Sequence, residues 1–180
     1  MNHKRLIPLF ATLLLPLVAL ASFQRAGKAE VEFKATGPAG LKIEGHTARL
    51  AVGGDDNNVE IKVDLASLET GIGLRDEHLR DKYLEVKKYP YATLQVPRAS
   101  LKLASSGSEV QGATKGQLTL HGVTKPVSVK YTTSRNGSGY AVEGTMHIDI
   151  RDFKIEVPSY LGVTVKPDVD IQVAFGASGS

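Results

Sequence analysis

Val142-Glu143-Gly144-Thr145-Met146-His147-Ile148-Asp149-Ile150 decides the fold class. Val142, Met146, Ile148 and Ile150 alternate with Glu143, Thr145, His147 and Asp149, so an extended chain would turn one side to a dry core and the other to water. An amphipathic helix would need a repeat near 3.6 instead. The same alternation recurs along the chain. Val59, Ile61, Val63 and Leu65 interleave with Glu60, Lys62 and Asp64, and Val169, Ile171, Val173 and Phe175 with Asp170, Gln172 and Ala174. Weaker versions lie at Val31-Phe33, Leu41-Ile43, Ala92-Leu94-Val96, Leu101-Leu103, Leu118-Leu120 and Val127-Val129-Tyr131. After Leu41 and Ile43 the apolar parity switches across Gly45-His46 to Ala48, Leu50 and Val52, which predicts a bulge or bend.

Turn chemistry separates these strands. Gly53–Asn58, Ser105–Ser108 and Asn136–Gly139 have the composition of hairpin loops, and His121–Pro126 is a tighter reversal. Strands linked by hairpins form an antiparallel sheet rather than parallel units joined by helices. One stretch differs. From Gly73 to Lys88, Leu79, Tyr83 and Val86 amid many charges have the spacing of one short amphipathic helix, ending at Tyr89-Pro90. Eight or nine strands with one apolar face each can bury those faces as a sandwich or as a barrel, and periodicity leaves both open. The inward set is slim, mostly Val, Ile, Leu and Ala, which suits an elongated apolar guest if the strands enclose a hollow.

The chain has 180 residues, 42% of them hydrophobic, 6% aromatic, and no cysteine. That is enough for one domain with a substantial core. The lack of cysteine excludes disulfides, thiolate metal centres and a cysteine nucleophile. Asn2-His3-Lys4-Arg5, the apolar run Leu6–Leu20 and Ala19-Leu20-Ala21 read as a signal peptide over residues 1–21, cleaved after Ala21. Residues 22–180 are then a single exported domain, periplasmic or secreted, with no transmembrane anchor after cleavage. Cleavage removes Lys4 and Arg5 and leaves 20 basic against 19 acidic residues. A charge that small argues against a nucleic-acid partner.

Three stretches carry a family resemblance. Leu65-Ala66-Ser67-Leu68-Glu69-Thr70-Gly71 leads to Arg75-Asp76-Glu77-His78-Leu79-Arg80 and Tyr89-Pro90. The second is Gly116–Val127, containing His121-Gly122-Val123-Thr124-Lys125-Pro126. The third is Ile150-Arg151-Asp152-Phe153-Lys154-Ile155 with the final strand from Asp168. In order and spacing they resemble the YceI-like family of exported lipocalin-like proteins, over about Val31 to Phe175. The resemblance implies an all-β fold, an antiparallel lipocalin-like barrel of about eight strands with one short helix. It also implies an isoprenoid or other long-chain lipid as partner: a polyprenyl phosphate, an isoprenoid quinone or a fatty amide. The chain departs from the family's pattern at Phe33–Leu41, which lacks histidine, and at Pro158–Val165, which is long and apolar for a connection.

A carrier of an amphiphile needs an apolar tube and polar groups at its mouth. Alternation nominates Phe33, Val63, Leu94, Leu118, Leu120, Val129, Tyr131, Met146, Ile148 and Phe153 for the tube, with ordinary core packing as the alternative for each. Arg75 and His78 could meet a head group. Arg75-Asp76 and Arg151-Asp152 could equally be ion pairs that hold the fold. No His-Glu-x-x-His motif or serine elbow is present, so the expectation is a binding protein without metal, cofactor or catalytic residues. A filled barrel serving as an interaction module is the alternative, an enzyme acting on an isoprenoid the more distant one. Whether the protein forms a homodimer is left open.

Overall fold

The alternating stretches become long antiparallel strands in the computed structural model, which describes residues 24–160 and 163–178. The expected signal peptide lies outside the described residues. The strands are β1 (Gln24–Thr36), β2 (Lys42–Thr47), β3 (Leu50–Gly54), β4 (Asn58–Asp64), β5 (Tyr91–Pro97), β6 (Glu109–Leu120), β7 (Val123–Asn136), β8 (Gly139–Asp149) and β11 (Asp168–Ser178). They form one nine-stranded sheet in the order β2-β1-β11-β8-β7-β6-β5-β4-β3. A small separate hairpin pairs β9 (Ser159–Tyr160) with β10 (Val163–Thr164).

The two ends of that sheet are consecutive in the chain. Only Ala48-Arg49 separates β2, which pairs with β1, from β3, which pairs with β4. Together they are one bent strand that bridges the seam, so the sheet is a nearly closed barrel, eight-stranded when the bent pair is counted once. A sandwich, which periodicity had allowed, is not formed. The bend falls a little after the expected Gly45-His46. Thr47 fixes it: its hydroxyl shares a 2.6 Å hydrogen bond with Ser67 and accepts the Arg49 N–H at 3.0 Å. Gly45 has its own reason to be glycine, because a Cβ there would collide with the Phe33 ring.

Strand direction separates the barrel's ends. The upper end carries the turn after β1, the helical connection from β4 to β5, the His121-Gly122 turn and the long connection from β8 to β11. The lower end carries the turns after β3 and β7 and the connection from β5 to β6. This last segment corrects two expectations, since Leu101-Leu103 is not a strand and Ser105–Ser108 is not a simple hairpin loop. The β5–β6 ladder is confined to Thr93–Gln95 against Gln117–Thr119. Residues 98–106 instead form a strap across the lower end. The Lys102 N–H donates to Tyr131 Oη at 2.7 Å, and Thr133 Oγ1 accepts from the Ala104 N–H at 3.2 Å while donating to the Lys102 carbonyl at 3.3 Å. Ala104 is only 2% exposed. Inward hydroxyls thus supply the partners that a buried, unladdered backbone requires.

The helical connection is shorter than its charge pattern suggests. α1 (Gly73–Glu77) runs into a wider π-type turn over His78–Tyr83. It stops there because Glu85 takes a left-handed backbone, φ 47°, well before Pro90. The reversal buries Leu84 and Val86 against the barrel. Buried side chains form two clusters. The lower one packs Val31, Leu50, Val52, Val59, Tyr140, Val173 and Phe175; the upper one gathers Leu65, Leu84, Val86, Leu94, Leu118, Leu120, Phe153 and Ile155 along one wall.

Candidate ligand-binding cavity

Between the packed lower cluster and the upper end the barrel is hollow. The cavity is about 820 Å³, within the ~300–1,000 Å³ of small-molecule sites. Strand alternation supplies its wall: Val31, Phe33 and Ala35 from β1, Ile61 and Val63 from β4, Ala92 and Leu94 from β5, Leu118 and Leu120 from β6, Met146 and Ile148 from β8, Val169 and Ile171 from β11. The helical connection adds a roof of Leu68, Leu79, Tyr83 and Leu84, and its start adds Ile72 and Leu74. Pro38, Pro158, Ser159, Val165 and Lys166 complete the upper rim.

Of the ten residues nominated for the tube, Phe33, Val63, Leu94, Leu118, Leu120, Met146 and Ile148 stand on this surface, and Val129, Tyr131 and Phe153 do not. Each exception has a local cause. Tyr131 sits lower in β7, its ring over Gly112 and its oxygen holding the strap. Val129 is in register with Met146 but belongs to the packed wall. Phe153 is 1% exposed, in the short turn after β8 that packs on the barrel's upper end, and its backbone carbonyl accepts from His121 Nδ1 at 3.2 Å.

The polar residues divide by role. Arg75 and His78 line the cavity, whereas Asp76 is buried beside it. Asp76 accepts from the Thr70 N–H at 2.7 Å and from the Thr70 hydroxyl. Arg75 closes the same loop from the other side, donating to Thr70 Oγ1 at 2.7 Å and to the Thr70 carbonyl at 2.8 Å. Both residues therefore grip Thr70 instead of forming a plain ion pair. The Thr70 hydroxyl, more than the charges of Arg80 and Arg75, holds the Asp76 carboxyl below its ordinary pKa against the opposing effect of burial. Arg151 is also corrected: its guanidinium pairs with Asp149, Nε at 3.0 Å from both carboxylate oxygens, and not with Asp152. Arg151 and Asp152 are exposed and off the cavity surface.

Sequence reading found Leu79 and Tyr83 of the roof through their helical spacing and singled out Phe33–Leu41 and Pro158–Val165, which supply Pro38, Pro158, Ser159 and Val165 to the rim, but it passed over the rest. Leu68, Ile72, Leu74 and Leu84 belong to an irregular segment whose side chains follow no single period, so alternation could not assign them a side. It also missed a clamp. His121 Nε2 lies 2.6 Å from Glu85 Oε2, tying the end of the roof to the β6–β7 turn, and the Tyr89 ring stacks edge-on against the imidazole with centroids 4.6 Å apart. Among the described residues no cluster of histidine and carboxylates has the makings of a metal site.

Comparison with known proteins agrees with this geometry. The profile of the YceI-like domain matches residues 23–177. A protein of Pseudomonas savastanoi pv. phaseolicola named UPF0312 is 37% identical over 122 residues, 64% of this chain and 60% of that one. Another of that name from Vibrio campbellii is 30% identical over 125 residues, 66% of this chain and 62% of that one. The chain thus matches about three-fifths of the length of these relatives. Among solved structures, a polyisoprenoid-binding domain from Saccharophagus degradans, implicated in plant cell wall breakdown, superposes with a TM-score of 0.76 at 19% identity, covering 89% of this chain and 99% of that one. Burkholderia cenocepacia BcnA gives 0.67 at 21%, covering 83% and 96%. At such identities these two establish likeness of fold.

Proposed function

The chain belongs to the YceI-like domain family, and on that premise we propose that it is an exported binding protein holding a long-chain amphiphile, its isoprenoid or acyl tail inside the barrel. The carrying observation is the apolar cavity of about 820 Å³. Burying a tail there is favourable by about 0.8 kcal/mol per methylene, so several isoprene units support tight binding with few polar contacts. The reading is supported by the Saccharophagus structure, described as polyisoprenoid-binding. It includes export by a cleaved peptide at residues 1–21 and a role in holding the guest rather than transforming it. Phe33, Val63, Leu94, Leu118, Leu120, Met146 and Ile148 hold the tail in this account, and Arg75 and His78 stand nearest its head group.

A filled barrel acting as an interaction module is disfavoured by the same hollow. Native mass spectrometry of protein recovered from an expressing bacterium tests the reading. An adduct of several hundred daltons, on the scale of a ligand that fills such a pocket, should appear and pass into organic solvent. A bare polypeptide mass, with no uptake of any long-chain amphiphile offered afterwards, would contradict it.

A further inference from the structure

We propose that the upper rim is a docking surface for an anionic lipid bilayer, so that a guest moves between leaflet and cavity without crossing water. The inference rests on the amphiphile reading above and adds the partner from which the guest comes.

Exposed apolar side chains are gathered at the mouth. Leu41, Ile72 and Leu74 are 60%, 54% and 64% exposed, the most exposed large hydrophobic residues among those described. Ile72 and Leu74 face the cavity as well as solvent. Pro38 and Ile43, which stand on either side of Leu41 in the chain, line the same cavity as Ile72 and Leu74, so all three exposed residues belong to its mouth. The three thus form one lip. Exposed apolar groups of this kind partition into the headgroup and acyl boundary of a membrane.

Charge selects the kind of bilayer. The cavity surface includes Arg75, His78, Lys82 and Lys166, and no carboxylate among its described residues. Three exposed acids at this end have lysine neighbours, Glu44 with Lys34 at 3.9 Å, Asp81 with Lys87 at 3.8 Å, and Glu156 with Lys82 at 3.7 Å; Glu77 and Asp152, also exposed, lie off the cavity surface. A lip of leucine and isoleucine backed by cations complements a negatively charged leaflet. At the lower end, none of the described strap residues 98–106 lines the cavity.

Flotation with vesicles of phosphatidylcholine, with and without phosphatidylglycerol, tests this on the mature chain. Wild-type protein should float with the mixed vesicles, less so at high salt and less with phosphatidylcholine alone. Leu41→Asp should reduce partitioning by about tenfold or more, and Leu41→Trp should restore or raise it. Leu41 is off the cavity surface, so Leu41→Asp should still take up a monomeric fluorescent fatty acid, which also reports folding. Equal flotation of wild type and Leu41→Asp would overturn the proposal, as would light scattering that shows a dimer dissolved by Leu41→Asp, since the lip would then be covered by a second copy. Absence of fatty-acid uptake in every form counts against the cavity reading alone; unchanged flotation counts against the rim alone.

Discussion

Asp76 illustrates how a charged residue beside a cavity can serve the frame instead of the guest. Its carboxylate takes two hydrogen bonds from Thr70 while Arg75 holds the same threonine from the opposite side. Asp76→Asn should cost about 1–3 kcal/mol in urea unfolding, the range for a buried bond to a charged group. The pH dependence has a definite sign. The folded pKa lies below the ordinary 3.8, so the contribution is complete above the unfolded value and drains away as pH falls through the lower folded one. Asp76→Asn should flatten that acid limb. His147 is the opposite case. The Asp170 carboxylate at 2.8 Å, helped by Asp168, raises it above 6.5, so its contribution is present at low pH and lost as pH rises through the raised value. Because the group is exposed, the effect on stability is small; an NMR titration should show a midpoint above 6.5 that falls in Asp170→Asn. At this scale the sequence named the residue types correctly and the partners less well. Arg151 was legible as a paired arginine, but its choice of Asp149 depended on a turn after β8 that has no period to read.

Elements connect these residues to the cavity. The strands were legible because each has one wet and one dry face, and alternation records that directly. The strap was not, and the roof only in part, through the helical spacing of Leu79 and Tyr83. Below, Tyr131 and Thr133 satisfy backbone groups of the strap, and above, the Glu85 and His121 side chains pair with each other; such pairings join residues about 30 positions apart in the chain. His121→Ala should release the roof's last turn. Amide exchange at Leu84, Val86 and Tyr89 is expected to accelerate far more than in β7 or β8, with a loss of about 1–3 kcal/mol in global stability. Uniform protection across the roof in the variant would show that the clamp is idle. Tyr131→Phe should loosen the strap in the same way, leaving the Lys102 N–H without its acceptor at a cost of about 1–3 kcal/mol.

At the scale of the whole molecule, closure by one bent strand produces a barrel whose lower half is packed and whose upper half is hollow. The parity switch near Gly45 was the only sequence sign of that closure. Volume itself has no sequence signature: Tyr131 and Met146 both alternate inward, yet one fills the base and the other faces empty space. Filling that space is therefore informative. Ala92→Phe and Ile171→Phe place apolar bulk into a void, where overpacking strain is smallest, so unfolding should be little changed while uptake of a long-chain probe drops by about tenfold or more. The most direct measurement is a titration with amphiphiles that share one head group and differ only in tail length. Affinity should climb by about fourfold per added methylene until the cavity is full, then level off. Affinity that ignores tail length would mean that the guest is held outside the barrel.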